Sequence, residues 1–136
     1  MIEHIYSLVK PGLLLHMLVR TGEMKPGRED VVGPYEFMQA AIINQPKGTT
    51  YKPHRHIWKE GPRRIIAQES WIVLKGKVKC IFYDVDGKVI AEPVLNAGDF
   101  SITLEAGHTY ELLEDSLVVE YKTGPYQGQH NDKVFL

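Results

Sequence analysis

Two histidines stand one residue apart in the stretch GTTYKPHRH, residues 48–56, with a proline directly before the first. On an extended segment, residues two apart project from one face, so His54 and His56 point together and Arg55 points the other way. Two imidazoles in that arrangement can share one metal cation. The same pair also arises as a polar patch on an exposed strand, and the choice turns on what surrounds it. Directly after it comes IWKEGPRRIIAQ, residues 57–68, which carries Trp58, Lys59, Arg63 and Arg64. Held close to a metal, this cationic and aromatic loop favours an anionic substrate such as a carboxylate, a keto acid or a sugar phosphate. Held away from it, the same loop is a solvated surface turn.

The elements that must position these residues read as short strands. From residue 36 onward, extended segments alternate with turn residues, the pattern of an all-β barrel or sandwich. In KVKCIFYDVDGKVIAEPVL, Val78, Cys80 and Phe82 alternate with Lys77, Lys79 and Ile81, and Asp86-Gly87 supplies the positive-φ residues of a tight hairpin turn. EFMQAAIIN, SWIVL, FSITL and SLVVEYK are further strands. WIVL and SLVVEYK run apolar on both faces, so each is expected to be covered on two sides, by the N-terminal segment or by the second subunit of a homodimer. Residues 1–35 are read as an N-terminal extension of strand or short helix packing on the barrel or on a partner subunit, and residues 36–136 as the barrel. Within the extension, GEMKPGREDVVGP reads as loop from its Gly and Pro content.

The bulk composition narrows the partners. A chain of 136 residues fits one domain and can bury roughly two-thirds of its unfolded surface. Sixteen Lys plus Arg against seventeen Asp plus Glu give a net charge of −1, which supplies no electrostatic case for nucleic acid or an anionic membrane. The expected partners are a small molecule and another copy of the chain. Cys80 is the single cysteine, so an internal disulfide and a thiolate metal cluster are excluded, in keeping with a reducing, cytoplasmic compartment. The run GLLLHMLV is interrupted by His16 and is far too short to span a membrane.

Flanking residues sharpen the histidine pair. Gly48 lies six positions before His54, and in QESWIVLKG Glu69 lies seven positions before Gly76. These flanks resemble the first motif of the cupin superfamily, which runs glycine, HxH, glutamate, glycine. The departure is in the middle, where twelve residues separate His56 from Glu69, a longer spacer than cupins usually have. Glu60 stands at the usual short spacing and is the rival ligand. Glu69 is preferred: Gly61 and Pro62 turn the chain directly after Glu60, whereas Glu69 opens an apolar strand on one face with Trp71 and Val73, where a carboxylate is costly unless paired or metal-bound. NAGDFSITLEAGHTYELLED resembles the second cupin motif, with Gly98-Asp99 opening a strand, EAG at the turn and His108 directly after Gly107; the usual proline of the turn and the asparagine after the histidine are absent. Together with the tail EYKTGPYQGQHNDK, residues 36–133 are similar to the WbuC-type cupin-fold metalloproteins, small bacterial cupins of which some are encoded beside cell-surface polysaccharide genes. The resemblance implies a cupin double-stranded β-helix, a jelly-roll barrel, and the metal ligands His54, His56, Glu69 and His108.

Three neutral imidazoles and one carboxylate suit one divalent transition metal, Fe, Mn, Zn, Ni or Cu, and disfavour Ca. An octahedral metal so held keeps two positions for a substrate carbonyl, hydroxyl or carboxylate. Around it, Tyr110 reads as a proton donor or acceptor or as packing, Glu120 with Lys122 as a catalytic pair or a cross-strand salt bridge, and Glu111 as a further candidate base. Gln39 faces the cavity from the first barrel strand, while His4, His16 and His130 have no companion at ligand spacing and are read as structural or exposed. Three functions follow. The first is a metal-dependent enzyme, an isomerase or epimerase or an Fe(II) dioxygenase, acting on a small oxygenated, anionic or sugar-derived substrate, in one reading within cell-surface polysaccharide metabolism. The second is a non-catalytic sugar or anion binding module. The third is a structural dimer with a vestigial site, which the desolvation cost of four unemployed ligands argues against.

Overall fold

The alternation in KVKCIFY puts one face inside: Val78 and Cys80 are fully buried, and Lys77 and Lys79 are not. The same rule runs through the computed structural model, which describes residues 1–61 and 64–136. In chain order its strands are β1 (Ile2–Tyr6), β2 (Leu14–Val19), β3 (Gly27–Asp30), β4 (Met38–Gln45), β5 (His54–His56), β6 (Glu69–Lys75), β7 (Lys77–Tyr83), β8 (Val89–Ala91), β9 (Val94–Asn96), β10 (Phe100–Thr103), β11 (Gly107–Leu112) and β12 (Ser116–Thr123). A single helical turn, α1 (Gln129–Asp132), then leads into β13 (Lys133–Phe135).

Every strand pairing is antiparallel. One sheet has the order β10-β6-β12-β4-β3, the other β13-β5-β11-β7-β8 with β9 also on β7, and their inner faces enclose the core of a jelly-roll barrel. Ile43, Trp71, Val73 and Val118 come from the first sheet, and Val78, Cys80, Tyr110 and Leu112 from the second. The glycine that closes the Glu69 strand is required where it stands. Gly76 has φ +89°, and a Cβ there would sit 2.8 Å from the Ser116 Cα, so the β6–β7 turn admits no side chain.

Two N-terminal segments read as strand or helix are both strands, β1 and β2, which pair only with each other. This hairpin stands over the outer face of the five-stranded sheet, where Val119, Leu74 and Tyr121 line a gap of about 720 Å³ beneath Leu14, Met17 and Val19. The loop reading of GEMKPGREDVVGP fails over Gly27–Asp30, which forms the edge strand β3 beside β4. Glycine and charged residues are poor strand formers in isolation, yet an edge tolerates them. Arg28 is further held by an ion pair to Glu120 on β12.

Candidate metal centre

β5 is only three residues long, and it is a strand because β11 pairs with one edge and β13 with the other. The register sets His54 opposite His108 and Lys133 opposite His56. Strand alternation then turns His54, His56 and His108 inward, all buried, and leaves Arg55 exposed. Glu69 reaches the same point from the other sheet, where it opens β6 between Thr103 of β10 and Lys122 of β12.

Ligand atoms of His54, His56, Glu69 and His108 lie within 4.8 Å of one another. His56 Nε2 is 3.0 Å from Glu69 Oε2, and His108 Nε2 is 3.4 Å from Glu69 Oε1 and 3.2 Å from His54 Nε2. Each ring is also held from behind. His54 Nδ1–H donates to the Lys52 carbonyl at 3.0 Å, His56 Nδ1–H donates to Asp132 Oδ2 at 3.0 Å, and His108 Nδ1 meets Thr103 Oγ1 at 2.8 Å. Trp71 Nε1–H donates to Glu69 Oε1 at 3.0 Å. Such outer partners select the tautomer that aims the Nε2 lone pair at a common point.

This donor set fits a transition metal. Bonds of about 2.1 Å to nitrogen and oxygen place neighbouring ligand atoms roughly 3 Å apart, the spacing of the closest pairs here. With its proton on Nδ1, His108 presents Nε2 to His54 Nε2 as lone pair against lone pair at 3.2 Å, a contact that a shared cation turns from repulsive to attractive.

Electrostatics divides the four ligands. Burial pulls the His108 pKa down to about 4 and lowers that of His54, so both rings are neutral at pH 7. Burial also opposes charge on His56, but the hydrogen bonds it donates to Asp132 and Glu69 outweigh it and raise its pKa to about 9. Glu69 is held at about 2, against its own burial, by His56 and the two neighbouring histidines. Asp132, which is 1% exposed, lies below the ordinary carboxylate range because His56, Lys122 and Lys59 overcome its desolvation.

A cavity of about 560 Å³ opens onto the cluster through His54 and Glu69. Gln39, Tyr110 and Glu120 are among the residues that line it. Tyr110 is buried, stacks on Trp71 with ring centroids 3.9 Å apart, and has a pKa pushed up by burial, so its phenol stays protonated. Both oxygens of Glu120 accept from Arg28, at 2.7 and 3.1 Å, and one also accepts from Trp71 Nε1 at 3.2 Å. Lys122 stands 3.8 Å from Asp132 and above the Tyr126 ring rather than beside Glu120. Gln39 donates to the Gly33 and Glu36 carbonyls. His4, His16 and His130 are exposed.

The spacer is folded back on itself by a bridge between Lys59 and Ile65. Glu60 is exposed and apart from the ligands. Trp58 is 44% exposed, the Arg64 guanidinium packs 5.4 Å from its ring centroid, and neither lines the cavity. Arg63 lies outside the described residues. Lys59 takes the opposite course: it is buried, donates to the Pro125 carbonyl at 2.7 Å and stands 3.4 Å from Asp132. Sequence reasoning missed Asp132, Thr103, Arg28, Tyr51 and Lys133, which strand pairing and the C-terminal turn bring in from distant positions.

No protein-family model and no curated protein sequence matches the chain. Solved structures do. KdgF from Halomonas sp. is 19% identical with a TM-score of 0.52 over 88% of this chain and 87% of that one. A conserved protein with a double-stranded β-helix domain from Klebsiella pneumoniae is 18% identical with a TM-score of 0.59, covering 86% and 84%. The capsular polysaccharide assembling protein CapF from Staphylococcus aureus is 18% identical with a TM-score of 0.58 over 80% of this chain, which spans 31% of that one. These likenesses establish the fold alone: the chain is a double-stranded β-helix. Among the described residues no helix is long and apolar enough to cross a membrane.

Proposed function

From the cupin fold and its four inward ligands we infer that the protein holds one divalent transition metal through His54, His56, Glu69 and His108, and acts as an isomerase or epimerase on a small oxygenated compound, sugar-derived or anionic. The observation that carries this reading is the convergence of four buried ligand residues, each held from behind, beside a cavity of about 560 Å³ that two of them, His54 and Glu69, line. A metal there supplies Lewis acidity toward a substrate oxygen. The chain's own residues do the rest. Tyr110, neutral at physiological pH, is a hydrogen-bond donor at the cavity wall, and Trp71 keeps the Glu69 carboxylate oriented. The likeness to CapF, a capsular polysaccharide assembling protein, supports a place in cell-surface polysaccharide metabolism.

One feature favours a second reading, a binding module without turnover. Glu120 is committed to Arg28 and Trp71, Asp30 is paired with Arg28, and Glu69 belongs to the ligand set, so among the described residues of the cavity each carboxylate is already engaged. Proton abstraction from carbon needs a base within reach.

Metal analysis of untagged protein tests the shared premise: about one transition metal per chain is expected, and the His54→Ala/His56→Ala double variant should hold none. Full occupancy in that variant would sink the assignment. Deuterium incorporation from heavy water into a bound sugar acid, followed by NMR, separates enzyme from binder.

A further inference from the structure

The cavity beside the metal ligands carries two hydrogen-bond donors that have no partner among the described residues. Tyr51 Oη is buried without a hydrogen-bond partner, its ring fixed edge-on against Trp71 at 5.4 Å. Lys133 is half-buried and lines the same cavity, and among the described residues no carboxylate lies within 4.0 Å of its ammonium. The nearest acid in sequence, Asp132, is already shared by His56, Lys59 and Lys122.

A buried hydroxyl and a half-buried ammonium left unpaired each carry a cost that a ligand can remove. Both are donors here, so the missing partner is an acceptor, and one of the two donors is charged. Arg28, whose planar fork would suit a phosphate, already gives both arms to Glu120 and its Nε–H to Asp30. What remains fits a singly charged acid.

We propose that Lys133 and Tyr51 form the subsite that receives the carboxylate of a small hydroxy- or oxo-carboxylate, whose remaining oxygens face the metal ligands. This rests on the metal reading above and narrows its substrate class. Lys133 enters because β13 pairs with β5, the strand that carries His54 and His56, so ligand recognition and metal ligation share one strand pair.

The test uses full-length protein loaded with Mn(II), with metal content and calorimetric binding measured side by side on gluconate, on its uncharged counterpart sorbitol and on inorganic phosphate. Gluconate should bind tightest. Lys133→Met should weaken gluconate roughly tenfold or more and leave sorbitol alone, Tyr51→Phe should weaken it several-fold, and Lys133→Arg should restore most of the loss. All three variants should keep their metal. Equal binding of gluconate by wild type and Lys133→Met, equal binding of gluconate and sorbitol, tighter binding of phosphate, or no binding of gluconate at millimolar concentration overturns the subsite while the metal reading stands. Wild-type protein that takes up none of Mn(II), Fe(II), Ni(II), Cu(II) and Zn(II) overturns the metal reading and the subsite with it.

Discussion

The two halves of the barrel interior are held together by different physics. At one end Ile43, Val73, Val78, Leu112 and Val118 fill the space between the sheets with hydrocarbon. At the other, His54, His56, Glu69, His108, Glu120 and Asp132 are also buried, and each has a polar partner. The Trp71–Tyr110 stack lies on the seam, its ring faces belonging to the core and its indole N–H reaching Glu69 and Glu120. Apolar burial is non-directional and scales with area. Polar burial is favourable only when geometry satisfies each atom. The division implies that damage at one end is read as stability and damage at the other as metal affinity.

The largest effect on stability is expected at the apolar end. Leu112→Ala should cost about 2–5 kcal/mol in denaturant unfolding, while the protein that remains folded still takes up one metal. Loss of metal without loss of stability would show that the halves are not separable. Next comes Asp132→Asn, which keeps the shape of the side chain but removes the carboxylate behind His56. Metal affinity should fall about 10–100-fold in a chelator competition, and an unchanged affinity would make Asp132 part of the scaffold only.

pH resolves the polar end further. His56 has a pKa of about 9 in the fold against 6.5 as its ordinary value, so in metal-free protein its contribution is full below pH 6.5 and is lost as the pH climbs through 9. Glu69, held at about 2 against 4.5, contributes above pH 4.5, and that contribution is lost as the pH falls through 2. Burial of His108 and His54 acts in the opposite sense, because below pH 6.5 the unfolded rings take up protons that the folded ones refuse. Metal-free protein should therefore melt highest near pH 6.5, whereas metal, which replaces the His56 proton, should shift the optimum upward. Melting curves with and without chelator check this, and an optimum that ignores metal would contradict the arrangement. The smallest effect belongs to Glu60→Gln. Glu60 is exposed, so both stability and metal content should be unchanged, and a metal loss exceeding that of Glu69→Gln would reverse the choice between the two glutamates.

Much of the ligand set was legible because it is local. His54 and His56 share a face by strand alternation, and Glu69 opens a strand that Gly76 must end because no Cβ fits there. The spacer was harder to read. Its Trp58, Lys59 and Arg64 look alike as lid residues in a string of letters, but the Lys59–Ile65 bridge sends Lys59 inward to Asp132 and leaves Trp58 and Arg64 packed on each other at the surface. β3 was hidden for a related reason, since its polar residues become a strand only when β4 offers an edge.

What the amino-acid sequence determined alone is the set of short-range facts: which residues alternate, where the chain must turn, and which side chains have the chemistry to ligate a metal. Those follow from backbone sterics and side-chain chemistry within a few residues. The tertiary structure alone decided which groups stand behind and around the ligands. Asp132 reaches His56 across 76 positions, Arg28 reaches Glu120 across 92, and Lys133 arrives opposite His56 by pairing of the last strand. No local pattern encodes such meetings, because the register of distant strands is set by the packing of the whole barrel.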